Sequence, residues 1–118
     1  MRPSAVYLRI ENTGLVSDRL IAVHTPNAKR AELHRHSIEN GVMKMRMMKL
    51  IEVPAKEITL LKPSGFHIML FELNSFLKKG EIFPMSLTFE NAGKVTIKVE
   101  VAEVGSVKPT GNTLKHLH

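Results

Sequence analysis

The feature that most restricts the fold is a period-two alternation of apolar and polar residues, repeated along the chain. Val95, Ile97, Val99 and Val101 alternate with Lys94, Thr96, Lys98 and Glu100, while Met85, Leu87 and Phe89 alternate with Ser86, Thr88 and Glu90. Successive side chains of an extended chain point to opposite faces, so each run makes a strand with one buried and one wet face. Asn91-Ala92-Gly93 joins the two as a hairpin. Near the start, Val6, Leu8 and Ile10 alternate with Tyr7, Arg9 and Glu11 before the turn Asn12-Thr13-Gly14. Leu20 to Val23 is a short apolar run closed by Thr25-Pro26-Asn27, Ile51 and Val53 precede Pro54, and Ile58 to Leu61 precede Lys62-Pro63-Ser64-Gly65. Phe66 to Leu73 is compatible with a strand or a short helical turn. No segment shows a convincing helical period. Seven or eight short strands at this spacing predict an all-β domain, a sandwich or a small barrel.

A chain of 118 residues allows one domain, expected over residues 1–104, with residues 105–118 as a polar, flexible tail ending Lys115-His116-Leu117-His118. The absence of cysteine removes disulfides, zinc–thiolate sites, iron–sulfur clusters and thiol nucleophiles together. No apolar run approaches the ~18 residues of a membrane span, so no membrane insertion is expected. The opening residues lack a charged segment followed by an apolar one, so no signal peptide is read there. Seventeen basic against 11 acidic residues give a net charge of +6 and favour acidic partners. The basic residues are scattered, however, and with one tyrosine and no tryptophan the stacking platforms of single-strand binders are thin. Nucleic acid is therefore not an expected partner. Nucleophile elbows, phosphate-cradling glycine loops and His-Glu-x-x-His are absent as well, so the chain is not read as an enzyme.

Seven methionines and six histidines stand out in this background. Met43, Met45, Met47 and Met48 crowd behind Glu39-Asn40-Gly41, and Asn-Gly between extended segments is the strongest short hairpin signal. With Asn40 and Gly41 central in the turn, His36 falls opposite Met45, His34 opposite Met47, and Ile38 opposite Met43. His34, His36, Met43, Met45 and Met47 then project from one face. His67-Ile68-Met69 repeats the pairing of imidazole with thioether if that segment is extended. Without thiolates, thioether and imidazole are the soft-to-borderline ligands available, and thioethers select Cu(I). The competing reading is a structural or adhesive β-sandwich with a methionine-rich core and no metal role, since methionine is a common core filler. His24 is read as structural or surface. His116 and His118 could form a weaker Cu(II) site, against the plainer reading of a flexible terminus.

The spacing His34-x10-Met45-x21-His67-x-Met69 resembles the motif of the PCu(A)C-type periplasmic copper chaperones. The words Ala31-Glu32-Leu33-His34, Asn40-Gly41-Val42-Met43-Lys44-Met45-Arg46 and Lys62-Pro63-x-Gly65-Phe66-His67-Ile68-Met69-Leu70 match too, as do Tyr7-Leu8-x-Ile10-x-Asn12 and Leu87-Thr88-Phe89. The resemblance covers about residues 5 to 102. It implies a cupredoxin-like Greek-key β-barrel or sandwich that binds one Cu(I) near its surface. It also implies a periplasmic, monomeric carrier that delivers copper to an accepting protein, the binuclear copper site of cytochrome oxidase. The implied ligands are His34, Met45, His67 and Met69. The residues after His34 are Arg35 and His36, where the family often has a methionine, and the hairpin register sets His36 opposite Met45. His36 is thus a substitute or additional ligand, while Met43 and Met47 share the face as surrounding residues.

Overall fold

Eleven strands form in the computed structural model, which describes residues 4–62, 65–73, 80–100 and 113–116. In chain order they are β1 (Ser4–Val6), β2 (Leu8–Asn12), β3 (Asp18–His24), β4 (Ala28–Glu39), β5 (Val42–Met48) and β6 (Ile51–Val53). They continue with β7 (Ile58–Leu61), β8 (Phe66–Leu73), β9 (Ile82–Phe89), β10 (Gly93–Glu100) and β11 (Thr113–His116). The protein is all-β and sandwich-like. One sheet has the order β1-β8-β4-β5, a second β10-β9-β3-β6, and a third β11-β2-β7. Phe66 to Leu73 is strand, not helical turn.

The strand count exceeds the seven or eight expected in part because one continuous-looking stretch divides between sheets and because Thr113–His116 in the expected tail is extended. The alternation from Val6 to Ile10 breaks at Tyr7, so β1 pairs with β8 in the first sheet while β2 pairs with β7 in the third. β6 and β7 lie on either side of Pro54 and join different sheets. Of the expected tail, residues 105–112 and 117–118 lie outside the described residues, and Thr113–His116 runs parallel beside Arg9–Asn12.

Apolar faces meet in one core built from Val6, Leu8, Ile10, Leu33, Ile68, Leu70, Met85, Leu87 and Phe89 among others. Two buried polar side chains bind loops to this core. The Asp18 carboxylate accepts backbone N–H bonds from Arg19 (2.7 Å), Asn91 (2.8 Å) and Ala92 (3.0 Å), anchoring the β9–β10 turn to the start of β3. Asn12 donates through Nδ2 to the carbonyls of Val16 and Val53, each at 3.0 Å, and accepts from Gly14 N–H at 2.9 Å. Burial of such groups is tolerable because each is satisfied. The outer face of the first sheet is left for other work.

Candidate metal centre

The β4–β5 hairpin sets the geometry. Asn40 and Gly41 both take positive φ, 53° and 78°, as a tight turn matched to strand twist requires. The register that follows pairs His36 with Met45, His34 with Met47 and Ile38 with Met43, as the Asn-Gly placement predicts. On its other side β4 pairs with β8, which sets His34 against His67 and Glu32 against Met69. Directly paired residues share a face. His34, His36, His67, Met43, Met45, Met47 and Met69 therefore lie together on the outer face, across three adjacent strands. Leu33 and Ile68, one residue along, turn into the core.

The methionine stripe is not core. Met43, Met45 and Met47 are 60%, 47% and 67% exposed, whereas Met85, a true core methionine, is fully buried. This row of exposed thioethers lies on the hairpin, beside the histidines. His24 lies elsewhere, exposed on β3 and paired with Ser86 in the second sheet. The side chain of His116 is outside the described residues, as is His118.

His67 is the centre of the cluster and is buried. Its ring centroid lies 5.9 Å from that of His34, 4.9 Å from that of His36 and 6.5 Å from Tyr7. Two imidazoles that ligate one ion at ~2.0–2.1 Å have centroids up to about 6 Å apart, so either pair could share a metal. Nδ1 of His67 donates to the Gly65 carbonyl at 3.1 Å, and the same carbonyl accepts the backbone N–H of His36 at 3.2 Å. Burial lowers the pKa of His67 from its usual value; the Gly65 hydrogen bond opposes this, and the charges of His36 and His34 add to the lowering. The ring is held neutral, the form that coordinates metal.

His34 is gripped from the other side. Its Nε2 donates to Glu32 Oε1 at 2.9 Å, and Arg30 Nε donates to Glu32 Oε2 at 2.7 Å. The hydrogen bond from His34 and the charge of Arg30 hold the Glu32 carboxyl below its usual range, against partial desolvation. Arg30 stacks over Phe71 at 4.3 Å, and the Phe71 ring lies 6.0 Å from His34. Nδ1 of His34 is buried with no hydrogen-bond partner among the described residues. A buried ring nitrogen left open beside a second imidazole and a row of thioethers fits a soft metal ion. Among the described residues no group of three or more His, Cys, Asp or Glu side chains is placed to hold a metal. A metal on this face would draw on methionine as well as histidine.

Sequence reading singled out the histidines and methionines but not Arg30, Glu32, Phe71 or Tyr7 as their supports. The alternation that places His34 and His36 on one face extends back through Glu32 to Arg30, and that signal was available. The basic residues of the hairpin are set apart from this face. Arg35, Lys44 and Arg46 occupy the opposite face of the hairpin, where Arg46 binds both Glu39 oxygens, at 2.9 and 2.6 Å, and Lys44 sits 3.6 Å from the same carboxylate. Arg35 lies over Phe66 at 5.7 Å.

The chain matches the model of the LpqE-like family, whose description is that of a lipoprotein, over residues 1–101. Among solved structures it resembles the apo PCuAC domain from PmoF1 at 26% identity and a TM-score of 0.65, over 79% of this chain and 74% of that one. The apo PmoF2 PCuAC domain is 26% identical with a TM-score of 0.63, over 82% and 74% of the two chains. The copper-bound PCuAC domain from PmoF2, at 21% identity, shares the fold with a TM-score of 0.65 over 85% and 92%. No curated protein matches. Likeness to these domains agrees with the reading of a binding module and not an enzyme. The likeness to the PCuAC domains of PmoF1 and PmoF2 supports the PCu(A)C resemblance of the histidine–methionine spacing, and the chain belongs to the LpqE-like family.

Proposed function

We propose that this chain is a periplasmic Cu(I) carrier that holds its cargo on His34, Met45, His67 and Met69 and hands it to a copper-accepting protein. The observation that carries the reading is the direct pairing of His34 with His67 on a solvent-facing sheet surface that also bears Met45, Met47 and Met69. The copper-bound state of the related PmoF2 domain supports copper as the metal. The donor set supports the reduced ion, since thioethers favour Cu(I) over harder cations. From His34, Met45 and Met69 are the diagonal neighbours on the flanking strands, within the ~7–8 Å reach of long side chains.

Handover follows from exposure. Buried His67 anchors the site, while of the two thioethers Met45 is exposed and Met69 half-buried, so an incoming donor replaces Met45 first. Bonds are exchanged one at a time and no free ion is released. The acceptor implied by the motif is the binuclear copper site of cytochrome oxidase. Among the described residues no helix is long and apolar enough to cross a membrane.

The test is the double variant Met45→Leu, Met69→Leu. Leucine keeps volume and apolarity, and such swaps cost less than ~1.5 kcal/mol even when buried, so the apo melting temperature should stay within a few degrees. Sulfur is gone, so Cu(I) affinity in a competition titration should fall by at least two orders of magnitude. Wild-type affinity in the double variant would overturn the assignment.

A further inference from the structure

We propose that Glu32 is a positioning residue of this centre, holding His34 as the Nε2–H tautomer so that His34 offers Nδ1 while His67 offers Nε2. The inference rests on the copper-carrier reading and adds which nitrogen of each ring is used, and why. A carboxylate at neutral pH is acceptor-only, so the 2.9 Å contact between Glu32 Oε1 and His34 Nε2 places the proton on Nε2. The lone pair of a neutral His34 is then on Nδ1, the atom that is buried with no hydrogen-bond partner among the described residues. Buried polar atoms in folded proteins nearly always have partners, so such an atom points to a ligand.

His67 is fixed in the opposite sense. The Gly65 carbonyl can only accept, so the 3.1 Å bond from His67 puts its proton on Nδ1 and leaves Nε2 for the metal. Two rings facing each other across β4 and β8 thus present unlike nitrogens. Glu32 is itself constrained: its second oxygen is taken by Arg30 at 2.7 Å, and Arg30 is seated on Phe71. The carboxylate is divided between an arginine and an imidazole, and it turns His34 without competing for the ion. Arg30, Glu32 and His34 occupy alternate positions of one strand, so extended backbone alone brings them to one face. Partners of ligating histidines fix tautomer and ring orientation, and their loss commonly weakens metal binding 10–100-fold.

Long-range proton–nitrogen correlation spectra of the apo protein at pH 8 read the tautomers directly. Wild type should show Nε2–H at His34 and Nδ1–H at His67. In Glu32→Leu, His34 should become a tautomer mixture while His67 is unchanged, and Cu(I) affinity by competition should fall 10–100-fold. Glu32→Gln keeps a side-chain carbonyl that can accept from Nε2–H, and should hold affinity within a few-fold of wild type. An Nδ1–H tautomer at His34 in the wild type overturns the proposal without any variant. So does wild-type Cu(I) affinity in Glu32→Leu. Failure of the wild type to take up Cu(I) would instead bring down the carrier reading on which this rests, an outcome the same titration separates from the others.

Discussion

His67 shows how a single residue ties stability to pH. Its folded-state pKa lies below the unfolded value of ~6.5 because burial penalises the charged ring. Above that value neither state holds the proton and stability is flat. As pH falls below it, the unfolded chain binds the proton first, so stability declines. Apo thermal melts should therefore show a falling midpoint from pH 7 to pH 5, and His67→Leu should flatten that slope. An equal slope in the variant would mean that another group carries it. Glu32 acts in the same direction at lower pH: its depressed pKa contributes stability that is full above the ordinary carboxylate value and is lost as pH falls through that range. The first imidazole is also decided at this scale. Rings of His34 and His36 both lie within sharing distance of His67, at 5.9 and 4.9 Å. The open Nδ1 of His34 favours His34. X-ray absorption on the Cu(I) forms should show a lost nitrogen in His34→Ala and an unchanged count in His36→Ala; the reverse would make His36 the ligand. The spacing made these residues legible as candidates. The apolar neighbours Phe66 and Ile68 pointed to a partly buried, hydrogen-bonded His67, but not to Tyr7, His34 and His36 as its ring neighbours, because no local pattern links those residues.

At the scale of the element, the β4–β5 hairpin was the most legible part of the molecule. Asn40-Gly41 specifies both positive φ values, and the turn then dictates the register of seven cross-strand pairs. Tyr7 was the least legible. The alternation from Val6 to Ile10 continues through it without interruption, and only the competition of β8 and β7 for partners divides the run. The hairpin also carries a prediction. A Cβ on Gly41 would meet nothing within 4 Å, so substitution there is resisted by backbone conformation and not by crowding. Holding an L-residue in the left-handed region costs roughly 1–2 kcal/mol. Gly41→Val should lower the stability measured by urea denaturation by about that amount or more, since branched side chains suffer most there. It should also weaken Cu(I) binding, because slippage by one residue would turn the methionines to the opposite face. A variant that loses stability but keeps affinity would show that the register is held by the β4–β5 cross-strand pairs themselves and not by the turn.

The whole molecule separates its two tasks by layer. Inward faces supply the core, while the outer face of one sheet carries soft donors, with Met85 buried and Met45 exposed as the clearest contrast. Composition hinted at the second task, but burial had to assign each methionine to a layer. The remaining whole-molecule property is charge. Seventeen basic and 11 acidic residues leave +6, even though Arg19 is bridged to Glu52 and Glu90, Arg30 to Glu32, and Arg46 and Lys44 to Glu39. Those bridges cancel charge locally but not the net field, and a positive field accelerates encounter with an acidic surface. Screening shortens that reach from ~30 Å at 0.01 M salt to ~8 Å at 0.15 M. Transfer of Cu(I) to the proposed acceptor, the isolated copper domain of cytochrome oxidase, followed by stopped-flow at limiting concentrations, should therefore slow several-fold over that range. Removal of Cu(I) by an uncharged small chelator should not change with salt, because no protein surface is being steered. A protein-to-protein rate as salt-independent as the chelator's would show that the charge does not guide handover and that contact at the hairpin alone selects the acceptor.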